Sequence, residues 1–257
     1  TILAQKDANK KMYPASLTKI MTAILAIEMG ELTDVITVDE KTPYEIEGSH
    51  VALEPGEILT LKDLLYALML PSANDAASVI ARHYGDGLEG FVKLMNNKAK
   101  ELGAYNTNFV NPHGLHDENH YTTAADLALI TKYAMENETF RTIVKTIRYE
   151  IKPTNKKDEA RNFVTLNRLL YDNGYNQIYV DGVYISPYYE YATGVKTGYT
   201  PQAGNCLVAS ASKDGLNLIA VTMKGVSLEM YQDVHNLFNY GFSEYENVTL
   251  VNKNTFI

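Results

Sequence analysis

The chain has 257 residues, 46% hydrophobic and 21% charged, which is globular rather than disordered or fibrous composition. A net charge of −8 and an isoelectric point near 5.3 exclude nucleic acid as the main partner, because phosphate binding needs a basic surface. The single cysteine, Cys206, excludes an internal disulfide, and no apolar run reaches the ~18 residues of a membrane span.

Residues 1–6 read as a short strand and Asp7–Lys10 as a turn. The chain opens at Thr1, in what reads as mid-strand, without initiator methionine or signal peptide, so the missing leader says little about location. Ile20, Ala23, Ile24 and Ile27 recur at helical spacing and Gly30 follows them, which predicts an amphipathic helix beginning near Ser16. Val35–Val38 is strand-like and Glu54–Glu57 a turn. Thr60–Asp63 forms a capping box for a helix over Leu64–Leu70, closed by Pro71. Ser72-Ala73-Asn74 occupies the loop before a helical run over Asp75–Tyr84.

A helix over about 88–102 carries Phe91, Leu94, Met95, Ala99 and Leu102 on one face, the spacing of core residues rather than of a cofactor box. Residues 104–122 form a polar loop, and Thr123–Asp126 cap a helix to about Met135. Residues 30–170 are thus expected to be largely helical. Strands follow over Tyr191–Lys196, Gly204–Ser212 and Leu216–Met223, the last two joined by a Lys213-Asp214-Gly215 turn, with Cys206 a buried strand thiol. Glu229–Tyr240 closes as a helix anchored by Leu237, Phe238 and Tyr240. Seven tyrosines (171, 175, 179, 184, 188, 189 and 191) make an aromatic loop, read as packing or a flap rather than a ligand platform. The order implies an α+β fold: a sheet from both ends of the chain, with a mostly helical lobe inserted between.

Three short motifs carry chemistry. In Ser16-x-x-Lys19 the two side chains lie one turn apart on a helix face. A neutral lysine there can take the proton of a serine hydroxyl, and the helix N-terminus favours developing negative charge. Alone the motif is worth little, since about one match arises by chance in such a chain. An ordinary N-cap serine and a solvated lysine would explain it. Ser72-x-Asn74 follows a helix stop, and Lys196-Thr197-Gly198, with roughly 5% chance expectation, ends a strand where glycine lets a ligand approach the backbone.

This trio resembles the penicillin-recognising serine acyl-transferases. Tyr13–Thr22, Leu70–Ala77, Asn111–Leu115 and Gly194–Thr200 are similar to the serine D-alanyl-D-alanine carboxypeptidases, the low-molecular-weight penicillin-binding proteins of the peptidase S11 family. The resemblance implies a β-lactamase/transpeptidase-like fold, an antiparallel sheet flanked by helices. It implies a catalytic domain over 1–245, with its sheet lobe from about 1–35 and 188–245 and its helical lobe over about 36–187. Residues 246–257 would begin a linker to a truncated C-terminal domain.

It also implies roles. Ser16 is the nucleophile and Lys19 its base, Ser72 relays a proton to the leaving D-alanine, and Asn74 orients Lys19 and the substrate amide. Lys196 supplies positive charge and keeps Lys19 neutral, and Thr197, Gly198, Tyr199 and Thr200 bind substrate, with the backbone N–H groups of Ser16 and Tyr199 as oxyanion hole. The implied partners are a peptidoglycan stem peptide ending in D-Ala-D-Ala and β-lactam antibiotics. No cofactor or metal is expected, action is extracytoplasmic, and membrane contact comes only through flanking segments.

Met230 departs from the family pattern, where an arginine that grips the substrate carboxylate commonly stands. This predicts weak binding of simple D-Ala-D-Ala peptides, a substitute cation such as Lys224, or an altered substrate. His113, His116, Asp117 and His120 have a spacing that could hold zinc, but the loop matches a structural stretch of the family and is read as structural. The β-lactamase alternative needs a Glu-x-x-x-Asn pair. Phe163 stands four residues before Asn167, and Glu159 three before Asn162, so efficient penicillin hydrolysis is not expected. A D,D-endopeptidase and a catalytically weak peptidoglycan-binding or penicillin-sensing homologue are the remaining alternatives.

Overall fold

The computed structural model describes residues 1–248. In chain order the helices are α1 (Lys19–Met29), α2 (Thr42–Glu45), α3 (Leu61–Met69), α4 (Asn74–Tyr84), α5 (Leu88–Glu101), α6 (Ala124–Ala134), α7 (Glu138–Lys145) and α8 (Glu229–Glu244). The strands are β1 (Val35–Thr37), β2 (Ile58–Thr60), β3 (Arg148–Ile151), β4 (Arg161–Val164), β5 (Ile178–Val180), β6 (Val183–Ile185), β7 (Ala192–Thr200), β8 (Gly204–Lys213) and β9 (Leu216–Gly225). The capping box opens α3 three residues earlier than expected, with Thr60 accepting from the Asp63 N–H and the Asp63 carboxylate accepting from the Thr60 N–H.

The helix expected to start at Ser16 starts instead as a 3-10 turn, Ala15–Thr18, and becomes α-helical at Lys19. From Lys19 to Ala26 every residue of α1 is buried. The expected amphipathic helix is therefore a central one, wrapped by α3, α4, α5, α6 and α7, with the polar Lys19 and Thr22 buried in it as well. Most of the large core lies in this helical lobe.

Antiparallel β7, β8 and β9 form a three-stranded sheet, with Lys196 opposite Val208 and Gly198 opposite Cys206. The buried Cys206 agrees with the strand reading. α8 packs on this sheet through Val234 and Phe238 and closes a second, smaller core. Tyr240, expected as an anchor, is 43% exposed, because the helix turns that face to solvent.

The sheet does not draw on both ends of the chain: residues 1–5 form no strand. Asp7, with φ +51°, bends the chain away, and the segment is fastened to the helical lobe by Met12 pairing with Thr122 and by the Ala125 N–H donating to the Ala8 carbonyl. The largely helical reading of 30–170 missed α7 and the hairpin β3–β4. The tyrosine-rich loop contains the hairpin β5–β6, whose Tyr179 and Tyr184 pair across strands and remain exposed. The expected beginning of a further domain lies partly outside the described residues. No helix among those described is long and apolar enough to cross a membrane.

Candidate active site

In a 3-10 turn the side chains at i and i+3 eclipse one another, which stacks Ser16 over Lys19 and leaves 3.1 Å between Ser16 Oγ and Lys19 Nζ. The turn is pinned on both sides. The Thr18 hydroxyl donates to the Ala15 carbonyl at 2.8 Å, holding Ala15 at φ +48°. His120 Nδ1 accepts from the Val110 N–H at 3.1 Å, so its Nε2–H faces the Thr18 hydroxyl at 2.8 Å.

Lys19 Nζ donates to Asn74 Oδ1 at 2.6 Å and to the His113 carbonyl at 2.8 Å. Burial first, and the Lys196 charge second, hold the Lys19 ammonium well below the ordinary lysine pKa, with Asp75 acting the other way. A neutral amine has two N–H donors and one lone pair. Two carbonyl oxygens that can only accept take both donors, which leaves the lone pair for the Ser16 hydroxyl. Asn74 is oriented for this by its own Nδ2, which donates to the Glu47 carbonyl at 2.7 Å.

The Lys-Thr-Gly motif reaches the same turn along β7. A Cβ on Gly198 would lie 3.0 Å from Ser16 N and 3.2 Å from Leu17 N, so only glycine lets the strand lie flat against the Ser16 backbone. Gly114 does likewise from the other side: a Cβ there would be 1.9 Å from the Ala15 carbonyl oxygen. Lys196 is buried, its Nζ donates to the Thr197 carbonyl at 2.9 Å, and burial pulls its pKa down to about 7. Tyr199 is 63% exposed. The Thr200 hydroxyl accepts from the Ala203 N–H at 3.1 Å, which closes the β7–β8 turn.

Ser16, Lys19 and Asn74 are thus joined by hydrogen bonds, and Lys196, Thr197 and Gly198 stand on the adjoining strand. Ser72 is held at φ +66° with its buried hydroxyl unpartnered among the described residues. Met230 is 7% exposed in the smaller core, and Lys224, the expected substitute cation, is exposed at φ +58°.

The family model for peptidase S11, D-alanyl-D-alanine carboxypeptidase, matches residues 1–227. The chain belongs to this family. It is 36% identical over 260 residues to D-alanyl-D-alanine carboxypeptidase DacF of Bacillus subtilis, covering 98% of this chain and 62% of that relative. It is 34% identical over 255 residues to the D-alanyl-D-alanine carboxypeptidase of Streptomyces sp. strain K15, covering 95% of this chain and 83% of the relative. The crystal structure of the Streptomyces K15 DD-transpeptidase superposes with a TM-score of 0.83 at 32% identity, over 95% of this chain and 92% of that one. The expected transpeptidase-like S11 fold is therefore the fold of this protein.

The loop histidines have other work in this S11 chain. His113 lends its backbone carbonyl to Lys19, and both ring nitrogens of His120 are engaged. His116 packs edge-on against Tyr13, and Asp117 accepts from the Asn119 N–H. Among the described residues no group of three His, Cys, Asp or Glu side chains is placed to hold a metal. Sequence reasoning missed the parts played by the His113 carbonyl, His120, Glu47 and Asp75. A backbone acceptor leaves no trace in residue type, and Asp75 stood in the sequence only as the first residue of a helical run.

Proposed function

We propose that this chain is a serine D,D-carboxypeptidase that removes the terminal D-alanine from peptidoglycan pentapeptide stems and is covalently acylated by β-lactams. The observation that carries the reading is the Lys19 amine, buried among two carbonyl acceptors with its remaining direction on Ser16 Oγ. Lys19 takes the Ser16 proton as Oγ attacks the carbonyl carbon of the penultimate D-alanine. The backbone N–H groups of Ser16 and Tyr199 receive the oxyanion. Ser72, whose hydroxyl is free to turn, passes a proton to the leaving amine as D-alanine departs. Water then attacks the Ser16 ester, returning the proton and releasing the shortened stem.

Lys196 and Thr197 face the substrate's terminal carboxylate, whose charge would draw the Lys196 pKa upward. Gly198 and Thr200 shape that strand edge. Residues 1–245 act as the catalytic unit, the chain beyond 246 leads towards a further domain, and the site of action is the cell envelope. D-alanine release from a peptide ending in D-Ala-D-Ala tests the reading. The wild type releases it and Ser16→Ala does not, and a wild type that neither releases D-alanine nor gains a β-lactam adduct at Ser16 rejects it.

Met230 favours a second reading, a natural substrate other than a simple D-Ala-D-Ala peptide. A thioether cannot make the charge-assisted bond to a carboxylate that contributes about 1.5–3 kcal/mol. Met230→Arg lowers KM for such peptides if this holds, and unchanged peptide turnover and acylation reject it.

A further inference from the structure

Of the groups that converge on Lys19, Asn74 is the one whose orientation could be reversed. A carboxamide carries an acceptor and a donor of nearly equal size, and a turned Asn74 would offer Lys19 an NH2 group in place of an acceptor. The lone pair that Lys19 turns to Ser16 therefore depends on what fixes this side chain. Two carbonyls fix it: Glu47 accepts from Asn74 Nδ2 at 2.7 Å, and Ser49 accepts from the Asn74 backbone N–H at 2.7 Å.

Both carbonyls belong to residues 47–53, a strap without helix or strand whose first four residues are exposed. Leu53 is buried in the helical core and Val51 packs against it, whereas residues 47–50 have little packing to hold them in one place. Its principal polar anchor is Asp75, the next residue after Asn74 on α4. The Asp75 carboxylate is 1% exposed, accepts from the Val51 N–H at 3.1 Å and from the Leu53 N–H at 3.1 Å, and has no lysine or arginine partner within salt-bridge distance among the described residues. Helix and strap thus clasp each other: Asp75 takes two strap N–H groups, and the strap's carbonyls take two donors of Asn74. The fit is close, since a Cβ on Gly48 would lie 3.0 Å from Asn74 Nδ2.

We propose that Asp75 is a positioning residue for the nucleophile's base: by anchoring the 47–53 strap it fixes the Asn74 carboxamide, and through it the direction of the Lys19 lone pair. The inference rests on the reading of Lys19 as general base. Asp75 carries charge as well as hydrogen bonds, so two variants separate the effects. Asp75→Asn removes the charge and one acceptor, whereas Val51→Pro deletes a clasped N–H and leaves the carboxylate.

The test uses the full chain, labelled with nitrogen-15, and benzylpenicillin as acylating probe. In both variants the Asn74 side-chain amide is expected to exchange with solvent at least tenfold faster. The acylation rate constant falls at least tenfold while the dissociation constant of the initial penicillin complex stays within twofold, and the melting temperature shows both variants folded. Unchanged amide exchange in both variants overturns the proposal. So does unchanged acylation in spite of faster exchange, and so does slower acylation in Asp75→Asn alone, which would assign the effect to charge. A wild type that penicillin does not acylate at all would reject the carboxypeptidase reading, while the Asn74 exchange rates still decide the clasp.

Discussion

Glu57 and Lys19 are both fully buried ionisable side chains, and their surroundings divide them into different trades. Glu57 meets a full complement: Arg161 Nη2 spans its two oxygens at 2.7 and 2.8 Å, the Thr154 hydroxyl donates at 2.7 Å and the Glu54 N–H at 3.0 Å. That node ties the β1–β2 side of the helical lobe to the β3–β4 hairpin. Lys19 donates only to neutral acceptors, and burial with the repulsion of Lys196 outweighs the attraction of Asp75. Burial in a bonded ion pair makes a joint; burial without a bonded counter-charge favours the neutral amine, which the proposed mechanism uses as a base.

Exchanging what each site has separates the two roles. Lys19→Met should slow acylation by about 10²–10⁴, the usual contribution of general base catalysis, and lower stability only by the about 1–3 kcal/mol of leaving Asn74 Oδ1 and the His113 carbonyl without their donor. Stopped-flow acylation and a melting curve check both halves; a stability loss well beyond that with acylation little changed would make Lys19 a structural group. Arg161→Met should do the reverse. It leaves a buried carboxylate unpaired and costs about 3–5 kcal/mol in urea unfolding, while acylation per folded molecule stays near the wild-type rate.

A smaller effect is expected from Gly198→Ala. Its methyl meets Ser16 and Leu17 backbone nitrogens, which have no flexible end to yield. β7 must back away from the nucleophile, and a displacement of about 1 Å costs on the order of 10² in rate. Acylation close to the wild-type rate would show that the strand's approach is not critical.

The smallest effect concerns pH. Lys19 works unprotonated, so activity rises as pH climbs through its lowered pKa. Lys196 works protonated, so kcat/KM falls as pH climbs through about 7. Lys196→Arg keeps its charge, and the alkaline limb should disappear, raising the ratio of kcat/KM at pH 9 to that at pH 7 by tenfold or more. An alkaline limb that survives the substitution would assign it to another group.

The residue types at 16, 19, 72, 74 and 196–198 already suggested the proposed reaction in the sequence, because a candidate nucleophile, base and ligand-facing glycine are chemical identities that short motifs preserve. The capping box at Thr60–Asp63 and the three strands after 190 were equally legible, since caps and alternation are local signals. Local signals could not reveal that residues 1–6 form no strand, because a strand requires a partner edge that the sequence does not display. Nor could they separate a surface α1 from a buried one, which depends on how many helices surround it. Only the tertiary structure decided where the protons go. Whether Lys19 is a base, whether Glu57 is a joint and whether Asp75 clasps a strap all depend on burial and on partners 22 to 104 residues away in the chain, and the cost of burying a charge is set by those neighbours rather than by the residue itself.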